Sequence, residues 1–258
     1  GLMISTYYDE VKDGEFPKGC PAIFREPLNP QGKFSFESFR LLRQAIYYFE
    51  CELKNGNFWN PPFRLLPDGE WSDWQPTFVV AVGGGGKGKT RSVWQCMRWD
   101  PQEYDFECIR AVDLATIIPA KAKRNEQGEG SLDEWMAALV ERDILFIDDL
   151  GQCPLKGRVV VELWNLIDQR YANKKRTIIT TNARSDTDLI EAINPEDENR
   201  IKTMLRRIRE SCVLVDFDSD RAFVFKNDVT HEMVLPALSD MDEDSAHEFT
   251  PPSEEVPF

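Results

Sequence analysis

A run of glycines ending in a lysine and a threonine concentrates much of the chemistry in this sequence. Gly83-Gly84-Gly85-Gly86-Lys87-Gly88-Lys89-Thr90 fits GxxxxGK[ST], the pattern of a phosphate-binding loop. Glycines there let successive backbone N–H groups turn toward phosphate oxygens, and a helix starting behind them adds the positive end of its dipole. Gly83, Gly85, Gly86 and Gly88 are the backbone candidates. Lys89 is expected to reach the β- and γ-phosphates of a nucleotide, and the Thr90 hydroxyl its Mg2+. Lys87 and Arg91 are further candidates for phosphate contact, although a solvated Lys87 is the simpler reading. The competing explanation for the whole stretch is a glycine-rich turn between strand and helix. The full pattern, placed after a β-branched run and before a helical one, disfavours it.

Three more groups could act on the same phosphates. Asp148-Asp149 close the apolar run Ile144–Ile147, and a carboxylate at the C-terminal end of a buried strand sits where α/β sheets bind ligands. Asp148 is expected to hold Mg2+ through water, and Asp149 to orient or polarise an attacking water. Asn182 ends the run Thr177–Thr181, where its amide would touch the γ-phosphate and that water; a plain strand-ending turn is the alternative. Arg206, Arg207 and Arg209 crowd the end of a basic helix. Each compensates the helix dipole there, and one of them could instead be a finger reaching a neighbouring subunit's nucleotide.

The elements that must position these groups alternate regularly. Phe36, Phe39, Leu42, Ile46, Phe49 and Leu53 fall at helical spacing over residues 35–54. Strands are expected at Thr77–Val82, Phe106–Val112, Ile144–Ile147, Thr177–Thr180 and Val213–Phe217. Helices are expected at Lys89–Arg98, from Ser131 to Glu141, at Gly157–Tyr171, at Leu189–Ile193 behind a Ser185 cap, and at Asn199–Arg209. Such alternation implies an α/β fold, a five-stranded parallel sheet flanked by helices on both faces. The stretch 113–131 reads as a loop or a helical insertion carrying Lys121, Lys123 and Arg124.

Composition sets the limits. The 258 residues, 41% of them apolar, can bury one large α/β core or two small ones. No stretch approaches about 18 uninterrupted apolar residues, so no membrane span is expected. Six cysteines without a CxxC pair and two histidines argue against zinc. With no signal peptide after Met3, they argue for reduced thiols and a cytoplasmic location. The net charge of −14 weighs against a non-specific duplex-DNA binder. Half of that charge lies in residues 238–258, which contain no Lys or Arg. The organisation expected is an irregular, proline-bearing arm over 3–33, a catalytic domain over 34–228, and an acidic, disordered tail over 229–258. The tail closes on Glu254-Glu255-Val256-Pro257-Phe258, which resembles the acidic tip of bacterial single-stranded DNA-binding proteins.

Taken together, these segments resemble the AAA+ ATPases, and among them the DnaC/IstB helicase-loader type. The resemblance rests on the phosphate loop, on Asp148-Asp149-Leu150-Gly151 as the Walker B segment, and on Thr180-Thr181-Asn182 as sensor 1. Cys108-Ile109-Arg110-Ala111-Val112-Asp113-Leu114 is similar to the second strand of the loaders, and Met204–Arg209 to their finger segment, with Arg207 the best match. The resemblance implies ATP rather than GTP, Mg2+, slow hydrolysis and a homo-oligomer with shared sites. It also implies a replicative helicase or a transposase as partner, and single-stranded DNA. An ATP-switched adaptor that touches protein alone stays open beside these, favoured by the acidic balance. The pattern departs from the family in having Asp-Asp where Asp-Glu is common, in Gly86-Lys87 within the loop, and in leaving little chain for a helical lid, which is therefore expected to be reduced or absent.

Overall fold

The computed structural model describes residues 16–25, 37–43, 45–46, 76–97, 104–126, 132–226 and 229–232. Their elements in chain order are α1 (Ala22–Arg25), β1 (Phe78–Val82), α2 (Lys89–Cys96), β2 (Phe106–Arg110), α3 (Ala111–Glu126), α4 (Leu132–Glu141), β3 (Ile144–Leu150), α5 (Arg158–Ala172), β4 (Arg176–Thr181), α6 (Asp186–Ile193), α7 (Glu198–Glu210), β5 (Cys212–Asp216), β6 (Arg221–Lys226) and β7 (Val229–Glu232). Residues 37–43 and 45–46 are also helical.

The strands form one sheet in the order β2-β3-β4-β1-β5-β6-β7. The first five are mutually parallel, as expected, while β6 and β7 extend the sheet antiparallel beyond β5. The two added strands correct the sequence reading. The acidic tail expected from residue 229 gives way at its start to β7, and residues 233–258, with the terminal tip, lie outside the described residues.

Side-chain alternation along the central strands explains the three layers. Leu145 and Ile147 of β3 enter one core, and Ile144 and Phe146 the other. Phe78 and Val80 of β1 separate from Val79 and Ala81 in the same way. One face is covered by α3 to α7 through residues such as Leu114, Leu139, Leu163, Ile190 and Ile208. The other is covered by the 37–46 helical segment and α2 through Leu42, Ile46, Val93 and Trp94. Each such side chain, fully buried, stabilises the fold by about 1.5–3 kcal/mol.

Two expectations change here. Residues 113–126 of the stretch 113–131 are neither loop nor protruding insertion: α3 follows β2 directly and packs Ala111, Leu114, Ile118 and Ala122 into the core, with Pro119 inside the helix; residues 127–131 lie outside the described residues. Of the N-terminal arm, the described residues 16–25 include an ordered helical turn. The Phe24 N–H donates to Pro21 O at 2.9 Å to close the turn of α1, and Cys20 is buried in the core. The arm is fastened to α2, where Arg91 donates to Ile23 O and Gln95 to Phe24 O, both at 2.8 Å.

Arg170 of α5 ties three elements together. It is wholly buried and donates to Leu139 O, Val140 O and Arg142 O at the end of α4, to Thr177 Oγ1 of β4, and to Arg176 O. The carbonyls a helix leaves unpaired at its C-terminus are thus satisfied by a side chain from the next helix.

Candidate functional site

The phosphate loop leaves β1 at Val82 and becomes α2 at Lys89. Gly86 and Gly88 have φ of 76° and 85°, left-handed values that glycine adopts without penalty. Gly83 is required for a second reason. At φ 139°, a Cβ there would lie 3.1 Å from Phe217 Cβ, because the loop leaves β1 directly against the turn that leaves β5.

Lys89 is buried inside its own loop. Its ammonium donates to Gly83 O at 2.7 Å, Gly84 O at 2.9 Å and Asn182 Oδ1 at 2.8 Å, which uses all three of its donors. Burial pulls its pKa down, while Asp149, Asp218 and Asp148 nearby oppose that shift. Asn182, at the end of β4, is thereby placed at the tip of the lysine.

The two acids differ in environment. Asp148, 6% exposed, accepts at Oδ1 from Thr90 Oγ1 at 2.7 Å and from Thr180 Oγ1 at 2.6 Å. At Asp149 the ladder between β3 and β4 slips: register is regular to Ile147, resumes at Leu150, and Asp149 has φ 56°. Its N–H donates to Thr180 Oγ1 at 2.9 Å. The Thr181 hydroxyl holds Leu150 O at 2.6 Å on the far side of the slip. Burial, then the adjoining charge of Asp148, raises the Asp149 carboxyl above the ordinary carboxylate range, partly offset by Lys89 and Arg110. Gly151 follows at φ 89°, and a Cβ there would meet Leu189 Cδ1 at 2.9 Å.

Lys89 is thus hydrogen-bonded to Asn182, and its chain neighbour Thr90 to Asp148, with Asp149 next in the chain. The other expected residues are placed differently. Lys87 lies 3.4 Å from Asp218 Oδ1 in an ion pair. Arg91 donates to Ile23 O of the N-terminal arm at 2.8 Å. Arg207 pairs with Asp168 of α5 at 3.2 Å and stands 5.1 Å over the Tyr171 ring. It lies just ahead of β5, whose first residue Cys212 is in register with Phe78 at the start of β1. The loop leaves the other end of β1, about 13 Å along the sheet at the usual strand rise. Arg206 pairs with Glu210 at 3.4 Å, and Arg209 with Asp186 at 2.6 Å.

The sequence reading gave no role to Arg184 and Asp218, and took Thr180 only as part of the segment ahead of Asn182. Thr180 belongs to a β-branched strand and carries no signal of its own. The Arg184–Asp218 ion pair, at 2.9 Å, joins residues 34 positions apart and shows only in three dimensions.

Among the described residues no helix is long and apolar enough to cross a membrane. Residues 73–223 match the family model described as IstB-like ATP binding protein, which is more than half of the chain. A search of curated protein sequences finds no match. Among solved structures the chain is similar to DnaI, with 15% identity and a TM-score of 0.52 over 77% of this chain and 94% of that one. The DnaC helicase loader gives 22%, 0.46, 67% and 88% for the same quantities. AMPPCP-bound DnaA from Aquifex aeolicus gives 20%, 0.46, 74% and 51%, so this chain spans about half the length of that initiator. The family match runs from ahead of β1 into β6 and takes in the loop, both acids, Asn182 and the arginines of α7: the chain belongs to the IstB-like ATP binding proteins.

Proposed function

We propose that this protein is an ATP-hydrolysing AAA+ switch of DNA replication, acting as a homo-oligomer in the manner of a helicase loader, on single-stranded DNA and a replicative helicase. The observation that carries the hydrolytic part is the buried Asp148 carboxylate shared by the Thr90 and Thr180 hydroxyls, with Asp149 next to it.

That donor set fits Mg2+. Thr90 Oγ1 and Asp148 Oδ1 are hard oxygens 2.7 Å apart, at the start of the helix that follows the phosphate loop. When bound, Mg2+ supplies neutralisation of charge on the phosphate oxygens. The remaining work falls to the chain. Lys89 exchanges its Asn182 contact for a phosphate oxygen, which frees the amide to hold water against the terminal phosphate. Asp149, as a carboxylate, accepts a hydrogen bond from that water and orients it for attack. Its shorter side chain makes turnover slow. Arg207 leaves Asp168 to reach the nucleotide of a neighbouring subunit, where a cation stabilises the charge that develops in the transition state.

A second reading, compatible with the match to IstB-like ATP binding proteins, is a transposition helper that binds DNA and activates a transposase. Phosphate release and oligonucleotide anisotropy, each with and without ATP, separate the readings. ATP-dependent binding to single strands supports the loader, and preference for duplex supports the helper. Turnover without DNA binding leaves a protein-directed adaptor. Nucleotide binding without phosphate release refutes hydrolysis. Mixing Arg207→Ala with Lys89→Ala subunits regenerates activity if sites are shared; full activity of a strict monomer rules sharing out.

A further inference from the structure

Beside the phosphate loop lies a cluster that the reaction as described does not use. The Asp218 carboxylate, in the turn after β5, accepts from the Gly84 N–H at 3.0 Å and pairs with Lys87 at 3.4 Å and Arg184 at 2.9 Å. A loop amide, a loop lysine and an arginine from the end of β4 thus converge on one carboxylate. Three donors around an anion are what a phosphate-binding site offers its ligand. A Cβ on Gly84 would lie 3.6 Å from Asp218 Oδ1 and 3.7 Å from the Arg184 guanidinium, so the cluster rests directly on the loop.

The main chains here are anchored while the charged ends are not. The Arg184 N–H is held by Asp188 at 3.2 Å and the Asp218 N–H by Asp216 at 2.9 Å. The Arg184 side chain is 70% exposed. An ion pair that open to water contributes little net stability, and the swing of one long side chain breaks it. Arg184 also stands two residues after Asn182, whose amide holds the tip of Lys89. The end of β4 therefore presents an amide and a guanidinium to the same side of the loop, where the outermost phosphate of a nucleotide would displace Asn182 from Lys89.

On the reading that this loop binds ATP, we propose that Arg184 reads the terminal phosphate from within the same chain, with Asp218 as the internal anion that holds Arg184 and Lys87 until that phosphate arrives. A terminal phosphate carries more charge and more acceptor oxygens than a carboxylate, so it draws both cations away from Asp218. ADP lacks that group and leaves the pairs in place. Arg184 and Asp218 then set how well the protein tells ATP from ADP, and the turn after β5 learns which is bound.

The test is titration of wild type, Arg184→Ala, Arg184→Lys and Asp218→Asn with a fluorescent non-hydrolysable ATP analogue and with fluorescent ADP, at fixed Mg2+ and salt. Loss of a charge-assisted contact predicts that Arg184→Ala weakens the ATP analogue about tenfold or more, while ADP moves by less than about twofold. Arg184→Lys falls between, and Asp218→Asn tightens the analogue more than ADP. Equal changes for both nucleotides, or none, overturn the proposal, as does an Asp218→Asn variant that weakens both. If wild type binds neither nucleotide, the ATP reading itself has failed. Thermal unfolding without nucleotide shows whether each variant remains folded; should Arg184→Ala unfold, Arg184→Lys and Asp218→Asn decide.

Discussion

Thr180→Val asks whether a buried hydroxyl organises both acids of the site. Valine keeps the shape and the strand preference of threonine and removes the oxygen. That oxygen donates to Asp148 Oδ1 at 2.6 Å and accepts the Asp149 N–H at 2.9 Å. Thr180 is fully buried, so no bulk water takes its place. Removing a hydrogen bond to a charged partner costs about 1.5–3 kcal/mol, and leaving a shielded N–H unpaired about 1–3 kcal/mol. Because the Asp149 backbone is only partly buried, the lower ends apply, and a loss of roughly 2.5 kcal/mol is expected. Against a total stability of about 5–15 kcal/mol for a domain, that is a large share. Urea unfolding should show the midpoint falling with an unchanged slope. Thr180→Ser is the control: it keeps both hydrogen bonds and loses a methyl group, at about 1 kcal/mol. In the ATP turnover assay, Thr180→Val should need more Mg2+ for half-maximal rate, and Thr180→Ser should not. If valine and serine variants unfold within about 0.5 kcal/mol of each other and share one Mg2+ dependence, the hydroxyl does not organise the pair.

Arg170→Met removes the donor shared by four carbonyls and Thr177, and should destabilise by at least about 4 kcal/mol in denaturant unfolding; a loss below about 1.5 kcal/mol refutes the account. Asp149→Asn should stop turnover while preserving ATP binding. The Asp149 carboxyl is raised in the fold, so the folded state binds the proton more readily than the unfolded chain does, and ionisation destabilises the fold. Wild type should therefore melt below the Asp149→Asn variant at neutral pH, with the gap closing as pH falls through the raised value; a gap that widens on acidification contradicts the sign. Lys89→Ala should abolish nucleotide binding in calorimetry with the fold intact, since one charge-assisted phosphate contact is worth about 1.5–3 kcal/mol and more when desolvated; unchanged affinity sinks the assignment.

The parts of the fold that the sequence made legible are those where one pattern dominates. The run Ile144–Ile147 is apolar at every position because β3 is covered on both faces, and α5 has a clean helical stripe of Val159, Val160, Leu163, Leu166 and Ile167. The Ser185 cap was readable too, and its hydroxyl accepts the Asp188 N–H at 3.1 Å. Helix α3 was hidden by Pro119 and by the lack of any turn between Arg110 and Ala111, although Leu114, Ile118 and Ala122 carry its spacing. Strand β6 follows an acidic turn, β7 has only four residues, and their pairing depends on β5 being available at the sheet edge. Within the site, the loop and the acids could be read because spacing alone defines them. Thr180, Arg184 and Asp218 act through contacts between segments far apart in the chain, which no local pattern records.

The slip at the end of β3 bears on the unusual pair of aspartates. In a regular strand two consecutive side chains point to opposite faces, so a single site could use only one of them. The left-handed Asp149 breaks that alternation and keeps the second acid near Asp148 and Lys89. Few residues other than glycine accept such a backbone, and aspartate and asparagine are among those that do so most readily. The shorter acid is thus matched to its turn. Installing the glutamate common in related proteins would lengthen the reach toward water and at the same time strain the backbone that aims it, so a gain in rate from Asp149→Glu is not to be expected without a second change that relaxes the slip.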